Sequence, residues 1–247
     1  MGTLQAQPYD GGGGTVGVPG GQDAVADRKP GTAKLLVVSS AKGGGCKTTT
    51  ARNLAVIAAH CKLRVATVDL DAQGTLSIWH RLRPPGAPRI EHRVIDIKGS
   101  AKPIQAVVQN GGFDLIVVDT PPGIENHAGD VRAIIKLADF VIIPSQPLNS
   151  DINSNVDWAR SVRRDGTRFA FLLSRTFRNR TAFGEAKQRL IEAGPLCAFD
   201  IRDAASVNNS DKAGLGNYEI RGDAVGQDFL GAWSDVARQL GFVVEEV

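Results

Sequence analysis

A chain of 247 residues with 42% apolar side chains can bury a full hydrophobic core, and its length favours one α/β domain over two. The net charge of +3 and pI near 8.8 make it mildly basic, so the distribution of charge is more informative than its sum. Cys46, Cys61 and Cys197 are odd in number and far apart, which argues against a disulfide framework or a C-x-x-C metal or iron–sulfur site and fits a reducing cytoplasm.

Residues 1–32 are rich in glycine and proline, with Gly11 to Gly14, Gly17, Pro19, Gly20, Gly21 and Pro30, and are expected to form a flexible tail. That tail is too short and glycine-rich for a helix-turn-helix. It lacks the basic-then-apolar order of a secretory signal, and Ala6 breaks the myristoylation pattern that Gly2 would start. No apolar run reaches the roughly 18 residues of a bilayer span.

Leu35 to Val38, continuing into Ser39 and Ser40, reads as a short buried strand. Gly43, Gly44 and Gly45 break it, and Lys47-Thr48-Thr49-Thr50 opens a helical pattern that runs to Ala59. A strand, a glycine loop and a helix start present backbone N–H groups and a positive dipole end to an anion, with phosphate the expected guest.

Arg64 to Asp71 reads as a second strand ending in Asp69 and Asp71, followed by a short helix over Gly74 to Leu82 that Pro84-Pro85-Gly86 terminates. Arg93 to Ile97 is a weaker strand and Pro103 to Gln109 a helix. Phe113 to Asp119 is the strongest strand and runs into Thr120-Pro121-Pro122-Gly123. A helix near Asp130 to Leu137, a strand over Phe140 to Pro144 and a helix near Ile152 to Arg164 follow. The pattern closes with a strand at Phe169 to Leu173, a helix over Ala182 to Ala193, a short strand at Leu196 to Ile201 and a helix over Phe229 to Leu240. Continuous apolar strands alternating with amphipathic helices predict an α/β fold with a mainly parallel sheet covered on both faces. Ligands bind such sheets at the carboxyl ends of strands, where the glycine loop, Asp69, Asp71 and Asp119 are all expected to converge.

From Arg160 to Arg189 there are nine Lys or Arg residues against two acids, Asp165 and Glu185. Such a cluster suits a phosphate backbone and lacks the aromatic ladder of a single-strand binder, although a solvated charged face would read the same way. Arg175, Arg178 and Arg180, just past a strand, are the best candidates for contact with DNA.

The glycine loop departs from G-x-x-x-x-G-K-[ST] at Ala41 and Cys46 but resembles K-G-G-x-G-K-T-[ST], the deviant phosphate loop of the ParA/MinD family of P-loop ATPases. The resemblance covers residues 33–245, with Lys42, Gly43, Gly44, Lys47, Thr48 and Thr49 matching and Cys46 departing where the family has glycine. It implies one P-loop domain over 33–247 that binds ATP with Mg²⁺. Lys47 would contact the β- and γ-phosphates, Thr48 and Asp119 would hold the metal, and Thr49 would reach the α-phosphate. Asp71, matching D-x-D-x-Q in Asp69 to Gln73, would position the attacking water. Lys42 would cross to a partner subunit's nucleotide in an ATP-dependent homodimer; by residue type alone it is equally a solvated loop lysine. For Asp69 and Asp71 the alternative is a carboxylate that caps the following turn.

The resemblance further implies a cytoplasmic, nucleoid-associated ATPase that coats double-stranded DNA nonspecifically and is stimulated by a ParB-like or cargo-adaptor protein. Its cargo would be a plasmid, a chromosome or another body. The acidic end, Phe242 to Val247, opposes a MinD-like membrane helix. Cys46 opens two further readings: a thiol acidified by the helix start and Lys47, hence redox-sensitive, or a weakened nucleotide site in a degenerate ATPase. A dinucleotide-dependent oxidoreductase is the rival from another class, but G-x-G-x-x-G in frame from Gly43 meets Thr48 where its third glycine belongs.

Overall fold

The computed structural model describes residues 32–44 and 46–243, with the side chains of Ile124 and Glu125 excepted. The expected tail (apart from Thr32), the loop position Gly45 and the acidic residues Glu245 and Glu246 lie outside the described residues. Seven parallel strands form one sheet in the order β3-β2-β4-β1-β5-β6-β7: β1 Lys34–Val38, β2 Val65–Asp69, β3 Ile90–Val94, β4 Leu115–Asp119, β5 Phe140–Ser145, β6 Phe169–Thr176 and β7 Ile201–Arg202. Eight α-helices accompany them among the described residues: α1 Lys47–His60, α2 Thr75–Arg81, α3 Ala101–Asn110, α4 Ala128–Leu137, α5 Asn149–Arg164, α6 Thr181–Ala193, α7 Ser206–Lys212 and α8 Ala224–Leu240.

The strands read as unbroken apolar runs because both faces of the sheet are covered, as predicted. In β1, Leu36 and Val38 enter a core with α1 and α8, whereas Leu35 and Val37 enter a second core with α4 and α5. The same alternation places Leu115 and Val117 of β4 in the first core and Ile116 and Val118 in the second. Helix α1 is buried nearly all round, since it lies between the sheet and α8, and this explains its weak amphipathic pattern. Central β1 is flanked by β4 and β5, so the chain reverses its direction of spread across the sheet there, and a crevice opens at the carboxyl ends of these strands.

The structure corrects several boundaries. The third strand is Ile90–Val94, three residues earlier than expected, because parallel pairing from Val65↔Ile90 to Asp69↔Val94 sets it and Ile90 is its core residue. The apolar alternation that suggested 93–97 belongs partly to the following loop, where Ile97 is buried. Strand β6 extends through the polar Ser174, Arg175 and Thr176, and β7 is only two residues long, with Leu196 contributing an isolated bridge to Phe171. Helix α5 starts at Asn149 rather than Ile152. Helix α8 starts at Ala224 rather than Phe229, capped by Asp223, whose carboxylate accepts the Val225 N–H at 2.9 Å. Helix α7 was not foreseen: in SVNNSDK only Val207 is apolar, so no periodicity announces it.

One buried ion pair ties the rear of α1 to distant loops. Arg83 donates to both Glu219 oxygens at 2.9 and 3.1 Å, His60 of α1 lies 3.2 Å from the same carboxylate, and the Gly216 N–H donates at 2.8 Å. Burial alone would raise the Glu219 pKa, but the hydrogen bonds from His60 and Arg83, the Arg83 charge and the Gly216 N–H outweigh it and hold the group at about 2. A carboxylate depressed from 4.5 to about 2 contributes stability in full above its unfolded pKa and loses it as pH falls through about 2, a window worth about 3 kcal/mol. Urea titrations at successive pH values should show this loss between about pH 5 and 2. Glu219→Gln should flatten that dependence and lower stability at pH 7 by about 3 kcal/mol, since Arg83 is left buried without its charge partner.

Candidate nucleotide site

Strand β1 delivers the chain into the glycine loop, which is held from outside by residues that the sequence reading did not single out. Asn155 of α5, fully buried, accepts the Ala41 N–H at 2.9 Å and donates to the Pro144 carbonyl and the Ser145 hydroxyl. Gln146 donates to the Gly44 carbonyl at 2.6 Å, and its own N–H donates to Asp151 at 2.6 Å. The detectable signal was Asn155 itself, a polar residue on the apolar Ile152, Ala159 and Val162 face of α5. Gly44 has φ +74°, a left-handed conformation that suits glycine, and a Cβ added at Gly43 would lie 3.4 Å from Cβ of Pro122. The glycine loop and the Thr120-Pro121-Pro122-Gly123 turn are therefore direct neighbours.

Lys47 and Thr48 begin α1 as predicted. Lys47 is buried and donates to the Lys42 carbonyl at 3.0 Å and to Ser40 Oγ at 3.4 Å. Burial lowers its pKa, opposed by the negative charges of Asp119, Asp71 and Asp151. Thr48 Oγ1 donates to Asp119 Oδ2 at 2.5 Å, joining the helix start to the end of β4. Burial pushes Asp119 up to about 7. The Thr48 hydrogen bond and the Lys47 charge act against this rise, while Asp69 and Asp71 reinforce it. Asp119 Oδ1 is buried without a hydrogen-bond partner among the described residues. A carboxylate crowded by two others, with one bare oxygen and a threonine hydroxyl beside it, is a hard oxygen donor set suited to Mg²⁺, so the residues present fit that ion.

Asp69 and Asp71 part company. Asp69 is fully buried and its oxygens are taken by the Asp71 N–H at 3.0 Å and by the Ser77 N–H and hydroxyl at 2.9 and 2.6 Å, which makes it the cap of the turn and of α2. Asp71 is half-buried, and its carboxylate accepts the Gln73 N–H at 2.9 Å, with one oxygen directed elsewhere than that bond. Lys42 is exposed and Thr49 half-buried in the first turn of α1.

Cys46 corrects one expectation. It precedes α1 with φ 60° and ψ 20°, the left-handed region that glycine adopts freely and that is strained for a residue with a Cβ. Burial pushes its thiol up to about 11, with Arg175 and Lys47 lowering it less than burial raises it, so the expected acidification is overturned. Cys61 and Cys197 are buried, and burial raises both thiols, Cys197 to about 12.

The arginine candidates are partly spoken for. Arg175, with φ 55° at the irregularity in β6, reaches Asp203 at 3.3 Å, and Arg178 reaches Asp200 at 3.0 Å and Asp228 at 3.5 Å. Arg180 lies over the Phe177 ring at 4.3 Å and has no ion pair among the described residues. Lys187 and Arg189 make no ion pair among the described residues either, and Arg164 makes none within 4 Å although its charge helps to lower the Asp165 pKa; Arg189 bridges α6 to Asn149 and Asn153 of α5.

The CobQ/CobB/MinD/ParA nucleotide binding domain matches residues 36–243 of this chain. The chain belongs to this family. Its members are P-loop ATPases, which sets the oxidoreductase reading aside and agrees with the meeting of Lys47, Thr48 and Asp119 at one point. The chain is 32% identical over 196 residues to the maintenance of carboxysome distribution protein A of Gloeobacter kilaueensis, a match covering 76% of this chain and 86% of the relative. It is 26% identical over 139 residues to the chromosome-partitioning ATPase Soj of Thermus thermophilus, covering 46% and 55% of the two chains. In fold it is similar to the septum site-determining protein MinD of Pyrococcus horikoshii in complex with Mg-ADP, with a TM-score of 0.72 at 18% identity over 87% of this chain and all of the other. Among the described residues no helix is long and apolar enough to cross a membrane.

Relief of the left-handed strain should make Cys46→Gly more stable to urea by up to about 1 kcal/mol. Alkylation of the native Cys46 thiol by iodoacetamide, followed by mass spectrometry, should be slow at pH 7 and reach half its limiting rate near pH 11.

Proposed function

We propose that this chain is a nucleotide-switched positioning ATPase: it binds ATP with Mg²⁺, dimerises, binds double-stranded DNA without sequence preference, and releases it on hydrolysis stimulated by an adaptor on its cargo. The observation that carries the reading is the Thr48 to Asp119 contact beside buried Lys47, with Asp119 Oδ1 left bare at the mouth of a glycine loop. Similarity to a carboxysome-distribution protein and to a chromosome-partitioning ATPase supports cargo positioning as the task.

In this reading Lys47 exchanges its bonds to Lys42 and Ser40 for the β- and γ-phosphates, while the loop N–H groups around Gly43, Gly44, Gly45 and Cys46 and the start of α1 receive phosphate oxygens. Thr49 serves the α-phosphate. Thr48 and Asp119 would hold the metal, which when bound would supply positive charge to the oxygens of the transferred phosphoryl group. Asp71 orients the attacking water, and exposed Lys42 reaches the partner subunit's nucleotide. DNA meets the arginine surface, with Arg180 contributing more than Arg175 and Arg178, whose charge is shared with Asp203, Asp200 and Asp228. The protein would act in the cytoplasm on the nucleoid.

The left-handed Cys46 favours a second reading, in which turnover is very weak and the chain acts as a binding protein. Both are tested by one comparison of the native chain with Cys46→Gly, Asp119→Asn and Thr48→Ala. The native chain should double in mass by light scattering with Mg-ATP, retard a random duplex at low salt, and lose that retardation as salt rises. Asp119→Asn and Thr48→Ala should abolish Mg-ATP-dependent dimerisation, and Cys46→Gly should bind ATP several-fold more tightly by calorimetry. Hydrolysis restored only in Cys46→Gly would establish the second reading; no mass change and no retardation in any of them would overturn both.

A further inference from the structure

We propose that Ser77 and His92 are positioning residues for the Asp71 turn, acting through Asp69 in a one-way chain of hydrogen bonds that begins at Thr67. The proposal rests on the reading of Asp71 as the residue that orients water. It concerns a polar cluster on the β2, α2 and β3 side of the sheet, where neither Ser77 nor His92 was a candidate from sequence.

The direction of the chain follows from its end. Asp69 is fully buried and, as a carboxylate, can only accept: Oδ1 takes the Asp71 N–H at 3.0 Å, and Oδ2 takes the Ser77 N–H at 2.9 Å and the Ser77 hydroxyl at 2.6 Å. With its one proton committed to Asp69, the Ser77 oxygen presents a lone pair to His92 Nε2, 2.9 Å away. Nε2 must therefore carry the imidazole hydrogen. In the neutral ring Nδ1 is then bare and accepts from Thr67 Oγ1 at 2.9 Å, a shorter contact than the 3.3 Å from that hydroxyl to the Glu91 carbonyl. Thr67, His92 and Ser77 thus all donate toward the Asp69 carboxylate, and such chains strengthen one another.

The surroundings keep His92 neutral. Its ring stacks on His80 at 4.8 Å with an interplanar angle of 18°, and His80 Nε2 lies 2.8 Å from the Ile90 carbonyl, which fixes the platform. Burial, then His80, and more weakly Arg81 and Arg93, oppose a charge on His92; only Asp69 favours one, and the group is pushed down to about 4.

The turn bearing Asp71 stands on this support. Its N–H is held by Asp69, its carboxylate by the Gln73 N–H, and its carbonyl by the Gly74 N–H at 2.9 Å. Removing the Ser77 hydroxyl leaves Asp69 Oδ2 held by the Ser77 N–H alone and loosens the first of these anchors without touching the phosphate cradle. The lost effect should therefore fall on the chemical step and spare nucleotide binding.

The test uses the full chain with Ser77→Ala, Ser77→Thr, His92→Phe and His92→Gln, the last keeping a donor at the position of Nε2. Two-bond ¹H–¹⁵N correlation spectra of the native chain at pH 7 should show His92 as the Nε2–H tautomer; the Nδ1–H form or a charged ring would overturn the proposal. Ser77→Ala and His92→Phe should speed hydrogen exchange of the Asp71 amide about tenfold, with Ser77→Thr and His92→Gln restoring protection. Unchanged Asp71 exchange, or an equal rise across all of α2, would overturn it. With Mg-ATP, kcat should fall about tenfold in the first pair while KM stays within about twofold; equal losses in binding would refute the positioning role. A native chain that hydrolyses no ATP would defeat the hydrolytic reading alone, since the tautomer and the Asp71 exchange still decide the hydrogen-bond chain.

Discussion

A buried carboxylate with one oxygen unsatisfied is the constraint on which the site depends. Asp119 ends a strand whose other residues are wholly apolar, so the fold places a negative group where water cannot solvate it. Thr48 supplies one hydrogen bond and Lys47 a nearby positive charge, yet Asp69 and Asp71 on the adjoining strand work against both. Further positive charge beside the Thr48 and glycine-loop side of Asp119 would favour its carboxylate form. Strand, helix start and loop are thus coupled by an electrostatic deficit as well as by packing.

The two-sided core explains why that deficit is held in place. Alternate residues of β1, β4 and β5 are anchored in opposite cores, so a slip of one residue in any of them would exchange its two apolar sets. Parallel register carries Val38 opposite Asp119 and Asp119 opposite Asp69, which fixes the acidic ends relative to the loop that leaves β1. Helix α1, enclosed by sheet and α8, cannot shift along its axis, and Thr48 is set against Asp119 in consequence.

The central strands, the glycine loop and the first turn of α1 were legible in sequence because each depends on local chemistry: unbroken apolar runs, glycines at a turn, and a lysine with a hydroxyl at a helix start. What escaped was decided by long-range contacts. Strand β3 took its register from β2, against its own apolar alternation. Asn155 and Gln146 grip the loop from more than a hundred residues away, and helix α7 is fixed by Arg52, which reaches Asp211, the Val207 carbonyl and Ser210. The resemblance singled out Asp71, but that Asp69 rather than Asp71 caps the following turn was decided by the fold, where Ser77 and the Asp71 N–H claim it. The thiol of Cys46 was judged by its neighbours in sequence, whereas burial, a property of the folded loop, dominates it.

The same distinction between local charge and folded context bears on the basic segment. Counted along the chain, nine cations against two acids describe an open invitation to a polyanion. Folding brings Asp200, Asp203 and Asp228 to Arg175 and Arg178 from segments outside that count, and Arg178 bridges two of them. The arginine side chains of these pairs are about half exposed, whereas Asp200 and Asp228 are largely buried, so the Arg175–Asp203 pair is the one for which a phosphate can most readily compete. Arg175 therefore offers an exchangeable charge, while Arg180 offers one with no ion pair among the described residues. The charge of Arg175 is felt at Cys46, where the glycine loop meets the helix that carries Lys47, so the basic segment and the loop are electrostatic neighbours.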